Sequence, residues 1–358
     1  MSKNVYNVGL IGCGAVARRV HLPILKSLEK KGLVKIIAIC DINENALKRA
    51  SAEFGIKRAY NDANKMLENE EIDIAVVLVP TPLHAQLAIN IAKRKINAII
   101  EKPLCLKFKE AIEIDEAFKK NNVKYTVVFN YRYNPVIIKA KKLIEEGRIG
   151  DVKSICSIAN TLWPNQWTRS TWLYSEIGVI ADFAPHVFFA SLWLIDDEIK
   201  SIYAHSKYTN DKSLIAGADI LAETTKNKSL YFNLSWISGT FLVELKIIGS
   251  GGIVEVLPRD EILHIYRGFI TPLDYIKKNT KYIFNNSKDI VLGRYFTKPY
   301  IGVKLIYTHF IYYLKGWIKE PPILPKHILN VSALIEGAYK SIKTGRIITM
   351  ESLYKNNK

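Results

Sequence analysis

Apolar residues gather along this chain in short continuous runs, and the first third alternates those runs with stretches of helical periodicity. Val5–Ile11, Val34–Cys40, Ile74–Val79, Ala98–Ile100 and Tyr125–Phe129 are strand-like. Between them, a stretch ending at Leu28 and the segments Glu44–Phe54, His84–Lys95 and Phe108–Asn121 repeat apolar positions at helical spacing. Strands apolar on both faces, separated by amphipathic helices, predict a doubly wound parallel sheet covered on both sides. After Asp151 the runs shorten. Val152–Ala159, Ser201–Tyr208, Gly217–Glu223, Ser229–Ile237, Thr240–Ile248, Ile253–Val256 and Ile262–Tyr266 are separated by Gly, Asn, Asp or Lys turns. These predict an open, mostly antiparallel sheet. One helix over Gly178–Leu194 interrupts it, and Tyr300–Trp317 and Lys326–Thr344 read as closing helices. The expected fold class is α/β, with a first domain over 1–125 and an α+β domain over 126–358 whose last helices can pack back on the first.

Length and composition agree with two globular domains. The chain has 358 residues, 49% hydrophobic and 24% charged, enough apolar material to offset chain entropy, which excludes a mainly disordered chain. Charge changes the picture more. Lys and Arg number 51 against 34 Asp and Glu, a net +17. Such a surface attracts nucleic acid, anionic membrane and phosphorylated metabolites alike, so the sign alone selects no partner. Cys13, Cys40, Cys105 and Cys156 form no C-x-x-C pair, and the expectation is reduced, buried thiols and no metal site. Met1–Asn7 is polar and runs directly into a strand, so the expected location is the cytoplasm, without a signal peptide.

Val8-Gly9-Leu10-Ile11-Gly12-Cys13-Gly14-Ala15-Val16-Ala17 is a strand running into G-x-G-x-x-A. Gly12 suits the tight turn, Gly14 lets backbone approach a pyrophosphate, and Ala17 is small enough for close helix–strand packing; Ala15 and Val16 complete the loop. The anion would rest at the helix N-terminus, where N–H groups and the dipole favour negative charge. Asp41 ends the next strand, where a carboxylate accepts hydrogen bonds from ribose hydroxyls and repels a 2′-phosphate; Ile42 and Asn43 supply no cation to welcome one. The first domain is therefore expected to be a Rossmann domain that binds NAD in preference to NADP. The competing reading is a plain tight turn, with Asp41 capping the next helix.

A second set of residues adds specificity. Pro80-Thr81-Pro82-Leu83-His84 follows the third strand, Glu101-Lys102-Pro103 the fourth, and then come Asn130-Tyr131-Arg132-Tyr133-Asn134-Pro135 and Gly178-x-x-x-Asp182-x-x-x-His186. Together with G-x-G-x-x-A, these resemble the Gfo/Idh/MocA family, named for glucose–fructose oxidoreductase and inositol dehydrogenase, over nearly the whole chain. The resemblance implies a nicotinamide-dependent oxidoreductase acting on CH–OH groups of sugars, cyclitols or their nucleotide- or lipid-linked derivatives. It implies that Lys102 lies near nicotinamide and substrate, that His186 is the general acid/base, and that Asp182 holds a substrate hydroxyl or assists the proton relay. Thr81, Pro82, His84 and Glu101 would join the cofactor-binding set, and the Lys102–Pro103 peptide is often cis in the family.

Elementary chemistry agrees. Oxidising a secondary alcohol removes a hydride from carbon and a proton from oxygen, and the proton needs a base within hydrogen-bond reach. Histidine suits that task because its ordinary pKa of about 6.5 lies near working pH. A spacing of four puts Asp182 and His186 on one helix face. Lys102 can stabilise charge building on the alkoxide. Taken alone, Asp182 and His186 also read as a surface pair, Lys102 as a solvated charge, and His84 as a packing residue of the cofactor loop. Two departures from the family pattern bear on pocket shape: the glycine run before the aspartate is reduced to Gly178, and Ala184-Pro185 stands where a glycine is common.

Trp163, Trp167, Arg169 and Arg132 are the remaining candidates for substrate binding, since aromatic faces suit a sugar ring and Arg reads phosphate or carboxylate. Packing of a loop on the sheet is the alternative for the tryptophans. Residues 262–320 hold ten Lys/Arg interleaved with Tyr and Phe. They read as an ordinary basic surface, as a grip on a phosphorylated substrate, or, at Tyr300–Trp317, as an amphipathic stretch for an anionic membrane. Nucleic acid ranks last, because no recognised module is present. A homodimer or homotetramer through the open sheet is expected from the family. The rival functions are a non-catalytic NAD-binding sensor or scaffold, and an NAD-dependent glycosidase.

Overall fold

The computed structural model describes residues 3–163, 177–209, 214–291 and 299–355. The chain divides into two compact units, residues 1–128 with 303–328, and residues 129–302 with 329–358.

In the first unit, β1 (Tyr6–Ile11) leads through a π-turn (Ala17–His21) into α1 (Leu22–Glu29). There follow β2 (Val34–Cys40), α2 (Glu44–Phe54), β3 (Ala59–Tyr60), α3 (Ala63–Asn69), β4 (Ile74–Val77), α4 (His84–Lys93), β5 (Asn97–Ile100), α5 (Phe108–Lys120) and β6 (Tyr125–Val127). The six strands are parallel in the order β3-β2-β1-β4-β5-β6, the doubly wound arrangement whose strand order reverses beside β1. Ligands bind such sheets at the carboxyl ends of the strands near that reversal, where Gly12 and Asp41 stand. Continuous burial of β4 explains its unbroken Ile-Ala-Val-Val run. Helix α3 is not among the segments predicted from the sequence; its Asp62 cap side chain accepts from Asn64 N and Lys65 N.

The second unit opens with α6 (Pro135–Glu145), also absent from the sequence reading. Its start was legible: Asn134 caps Val136 N and Ile137 N, and Pro135 takes the first helical position. Then come β7 (Val152–Asn160), α7 (Val179–Asp182), α8 (Ala184–Ile195), β8 (Ile199–Tyr208), β9 (Ile215–Thr224), β10 (Ser229–Ser235), β11 (Leu242–Gly249), β12 (Gly252–Leu257) and β13 (Ile262–Tyr266). The chain closes with α9 (Pro272–Val291), α10 (Pro299–Leu314), α11 (Pro325–Thr344), β14 (Ile348–Thr349) and α12 (Met350–Lys355).

The eight strands run in the order β13-β12-β11-β7-β10-β9-β8-β14, antiparallel except for β10 with β7. One face is core: Ile155, Ile202, Ile220 and Phe232 are buried, and Phe188 of α8 packs edge-on against Phe232. On alternate positions Tyr203, Leu221 and Tyr231 are exposed in neighbouring register. Cys156 shares that register and is half-buried, unlike the buried Cys13, Cys40 and Cys105, so the expectation of four buried thiols holds for three.

Two sequence readings change here. The helix expected over Gly178–Leu194 is broken at Phe183 into α7 and α8. Pro185 has no N–H to offer the Ala181 carbonyl and its ring crowds it, so the helix restarts with proline in its first turn. Gly178 enters α7 at φ +51, and a Cβ there would meet Ile215 O at 2.1 Å, so this position is restricted to glycine. The Tyr300–Trp317 stretch, read as a membrane-surface candidate, instead supplies core: Val303, Ile306, Tyr307, Phe310 and Ile311 are buried. Among the described residues no helix is long and apolar enough to cross a membrane.

Candidate active site

The cofactor loop is built from β1 outward. Gly12 holds φ +101, and a Cβ there would lie 2.7 Å from the Leu78 backbone, so only glycine lets the loop turn beneath β4. A Cβ on Gly14 would meet nothing within 4 Å: its side of the loop is open. Arg18 N donates to Gly14 O at 3.1 Å, so helix begins directly behind that opening. Ala15 and Val16 are exposed there, while Ala17 is buried against the sheet. Asp41 fastens the loop as well as facing it: Oδ2 accepts from Cys13 N at 2.6 Å and Oδ1 from Asn43 N at 2.8 Å. Burial, with the Asp41 charge beside it, pushes the Cys13 thiol up to about 12, so it stays protonated and unreactive. An open glycine, a helix start and a carboxylate at the end of β2 fit a dinucleotide, with pyrophosphate at Gly14 and ribose at Asp41.

Thr81 is buried and Pro82 exposed in a 3₁₀ turn after β4. His84 is buried with its ring nitrogens committed to backbone, Nε2 2.8 Å from Val79 O and Nδ1 3.0 Å from Pro103 O. Burial pushes its pKa down against the pull of those carbonyls. It ties the turn after β4 to the Lys102–Pro103 turn, whose peptide bond is cis, so it serves as a fastener of the loops. Lys102 is half-buried, and its N–H donates to Glu101 Oε2 at 3.0 Å.

Behind Glu101 lies a constellation the sequence reading missed. His21, the last residue of the π-turn, is fully buried, with Nε2 3.0 Å from Glu101 Oε1 and Nδ1 2.7 Å from Tyr307 Oη. Burial alone would raise the Glu101 carboxyl, but His21, with Lys102 alongside, holds it below the usual carboxylate range. Glu101 is therefore a fixed negative charge beside Lys102. Because its folded pKa is depressed, its stabilisation is present above about pH 4.3 and is lost as pH falls through the lower folded value. His21→Leu is expected to cost about 2–4 kcal/mol at pH 7 by leaving a buried charge without its partner. The melting-temperature gap to wild type should then close as pH falls below about 4. A gap of equal size at pH 7 and pH 3 would show that His21 acts by packing alone.

In the second unit the D-x-x-x-H pair is buried rather than on the surface. Asp182 ends α7, and its Oδ2 accepts from Trp236 Nε1 at 3.1 Å. His186 stands in the first turn of α8, its ring 5.4 Å from that of Tyr131 and 5.0 Å from that of Phe183. Trp163 meets Trp236 edge-on at 5.6 Å. Phe183 meets Phe241 in the same way at 5.7 Å, and the Arg259 guanidinium lies 4.6 Å over Phe241. Burial raises the Tyr131 hydroxyl well above its ordinary pKa, with Arg259 opposing, so it stays protonated and able to donate.

The Arg132 guanidinium stacks 4.3 Å over Trp193 of α8. Trp167 and Arg169 lie outside the described residues. Tyr131 was legible in the Asn130–Pro135 motif. Trp236, Phe241 and Arg259 carried no local signal, since they lie in loops beside β10, β11 and β12 and meet the cluster only once those strands pair. Among the described residues, no group of three His, Cys, Asp or Glu is arranged to hold a metal ion.

Residues 6–129 match a family model described as oxidoreductase family, NAD-binding Rossmann fold, and residues 137–255 match the GFO/IDH/MocA C-terminal domain. Among curated proteins, the chain is 27% identical to myo-inositol 2-dehydrogenase of Thermotoga maritima, over 60% of this chain and 62% of the relative. It is likewise 27% identical to D-apiose dehydrogenase of Paraburkholderia graminis, over 59% of this chain and 54% of the relative. The chain thus spans roughly half to three fifths of the curated relatives it matches. In fold it resembles the WlbA dehydrogenase of Bordetella pertussis, solved with NADH and UDP-GlcNAcA, at TM-score 0.80 and 22% identity, covering 98% of this chain and 99% of that one. With its two family models together matching more than half of the sequence, the chain belongs to the Gfo/Idh/MocA oxidoreductase family, and its first domain is an NAD-binding Rossmann domain.

Proposed function

We propose that this protein is an NAD-dependent dehydrogenase or reductase acting on a secondary alcohol or ketone of a sugar, a cyclitol or a nucleotide- or lipid-linked sugar. The observation that carries the reading is the second unit's cluster, in which His186 and Asp182 are buried among Tyr131, Phe183 and Trp236. Aromatic walls around two proton-handling groups suit a polyhydroxylated ring, with apolar faces for its C–H surfaces and polar atoms for its hydroxyls. When bound, the nicotinamide takes up or supplies the hydride.

The chain's own residues handle the proton and the charge. His186 accepts the hydroxyl proton as the carbonyl forms, and returns one in the reverse direction. Asp182, held by Trp236, orients the reacting hydroxyl. Lys102 steadies negative charge on the reacting oxygen, and Glu101, fixed as an anion by His21, keeps that lysine's surroundings charged and ordered. Gly14 and the helix start behind it hold the pyrophosphate, and Asp41 holds the ribose. Named substrates of relatives, inositol and apiose, and the UDP-GlcNAcA bound in the resembling structure support the polyol class.

The test is a titration of the full chain with NADH, followed by a screen of inositols, pentoses, hexoses and nucleotide sugars for change at the nicotinamide absorbance. Binding with turnover on one class is the expected result. Binding without turnover on any of them favours the sensor or scaffold reading, and absence of binding removes the enzyme reading.

A further inference from the structure

Helix α9 follows β13, and its described residues are mostly exposed. Five of its apolar residues nevertheless share one face. At about 100° per residue, Leu273, Ile276, Ile283, Phe284 and Val291 fall within a stripe about 100° wide. All five are between 60% and 83% exposed. Phe269 and Ile270, just before the helix, are exposed as well. A solvated helix gains nothing from such a stripe, because each side chain left in water forgoes the transfer free energy of burial.

The helix is fixed by its opposite side. Lys278 lies about 170° round from the centre of the stripe. Its Nζ is 2.5 Å from Glu255 Oε2 of β12, and that carboxylate also accepts from Tyr266 Oη at 3.0 Å. At the start of the helix, Thr271 N and Oγ1 donate to Asp274 Oδ2 at 2.8 and 2.7 Å. The anchored face is toward the sheet, so the apolar stripe faces away from its own unit.

Charge selects what would cover it. By position on the helix, Lys277, Lys281 and Lys288 lie along one edge of the stripe, Asp274 lies just beyond that edge with its carboxylate taken by Thr271, and Asp289 is placed on the far side. Two copies paired antiparallel through this stripe would set lysine edge against lysine edge, in a chain that already carries +17. A surface of negative charge over an apolar interior complements both features at once: phosphates meet the lysine edge, and the acyl boundary meets the stripe. We propose that α9 is an interfacial helix that lies along an anionic lipid surface, with Leu273, Ile276, Ile283, Phe284 and Val291 entering the headgroup–acyl boundary. The docking is peripheral and reversible. Its ligand is the lipid surface, independent of which substrate the enzyme turns over.

The test uses the full chain and floats it with vesicles of phosphatidylcholine containing about 30% phosphatidylglycerol, and with pure phosphatidylcholine vesicles, at about 0.1 M and 0.5 M salt. The wild type is expected to float with the anionic vesicles at low salt, and at least about tenfold less with neutral vesicles or at high salt. The double substitution Ile283→Glu with Phe284→Glu should cut flotation by at least about tenfold. Both side chains are exposed, so retained NADH binding by the variant certifies its fold without bearing on the lipid question. Failure of the wild type to float with anionic vesicles would overturn the proposal, as would undiminished flotation of the double variant. Sedimentation as a dimer that the double substitution dissociates, without flotation, would assign the stripe to a second copy instead.

Discussion

Replacing His186 with Asn should lower kcat by about 10²- to 10⁴-fold while leaving the NADH dissociation constant within about twofold. The size follows from the step removed. A proton must leave or join the substrate oxygen as the hydride moves, and an amide cannot perform that transfer near neutral pH. Cofactor affinity should hold because the residues fitted to the dinucleotide, Gly12, Gly14 and Asp41, belong to the first unit, and His186 to the second. Asn also keeps a planar polar group between the rings of Tyr131 and Phe183, limiting the collapse that Ala would invite. Stopped-flow hydride transfer together with an NADH titration separates the two readouts. Unchanged kcat would remove His186 from the chemistry, and a parallel loss of NADH binding would mean that the substitution disturbed the fold.

Asp41→Ser should move the ratio of NADPH to NADH affinity by about 100-fold toward NADPH. Two effects combine. The carboxylate no longer repels a 2′-phosphate, and it no longer accepts from the ribose hydroxyls of NADH. The structure adds a cost that the sequence did not announce: Asp41 also accepts from Cys13 N and Asn43 N, so its loss loosens the glycine loop for either cofactor. Each such bond is worth about 1 kcal/mol, so absolute affinities should fall for both while the ratio moves. Asp41→Asn separates the terms, because it keeps one side-chain acceptor and loses the charge. A ratio unchanged in both variants would place cofactor selectivity elsewhere in the first unit.

What can be read from the chain alone is what acts over a few residues. The β1–Gly12–Gly14–Ala17 sequence implies its strand, turn and helix because φ +101 at Gly12 is open only to glycine, whatever the rest of the chain does. The alternation of apolar runs and amphipathic helices likewise implies a parallel sheet, because strands buried on both faces need helices to cover them. Asn134-Pro135 is a local signal of the same kind for α6, a capping side chain followed by proline at the first helical position. His186 and Asp182 were legible as a pair, and that they stand on separate helices follows from Pro185, whose missing N–H and ring break the helix at Phe183.

Other features depend on partners distant in sequence. His21 and Tyr307 are 286 residues apart, and no periodicity or spacing joins them. His21 gains Tyr307 only once α10 is packed, and Glu101 gains the partner that keeps it ionised only once the end of β5 lies beside the π-turn. The same dependence decides between two amphipathic stretches of similar appearance. Tyr300–Trp317 is spent on the core and α9 keeps its apolar stripe in solvent, because burial is settled by what other elements cover, and hydrophobicity along a chain records only the need for cover, not its source.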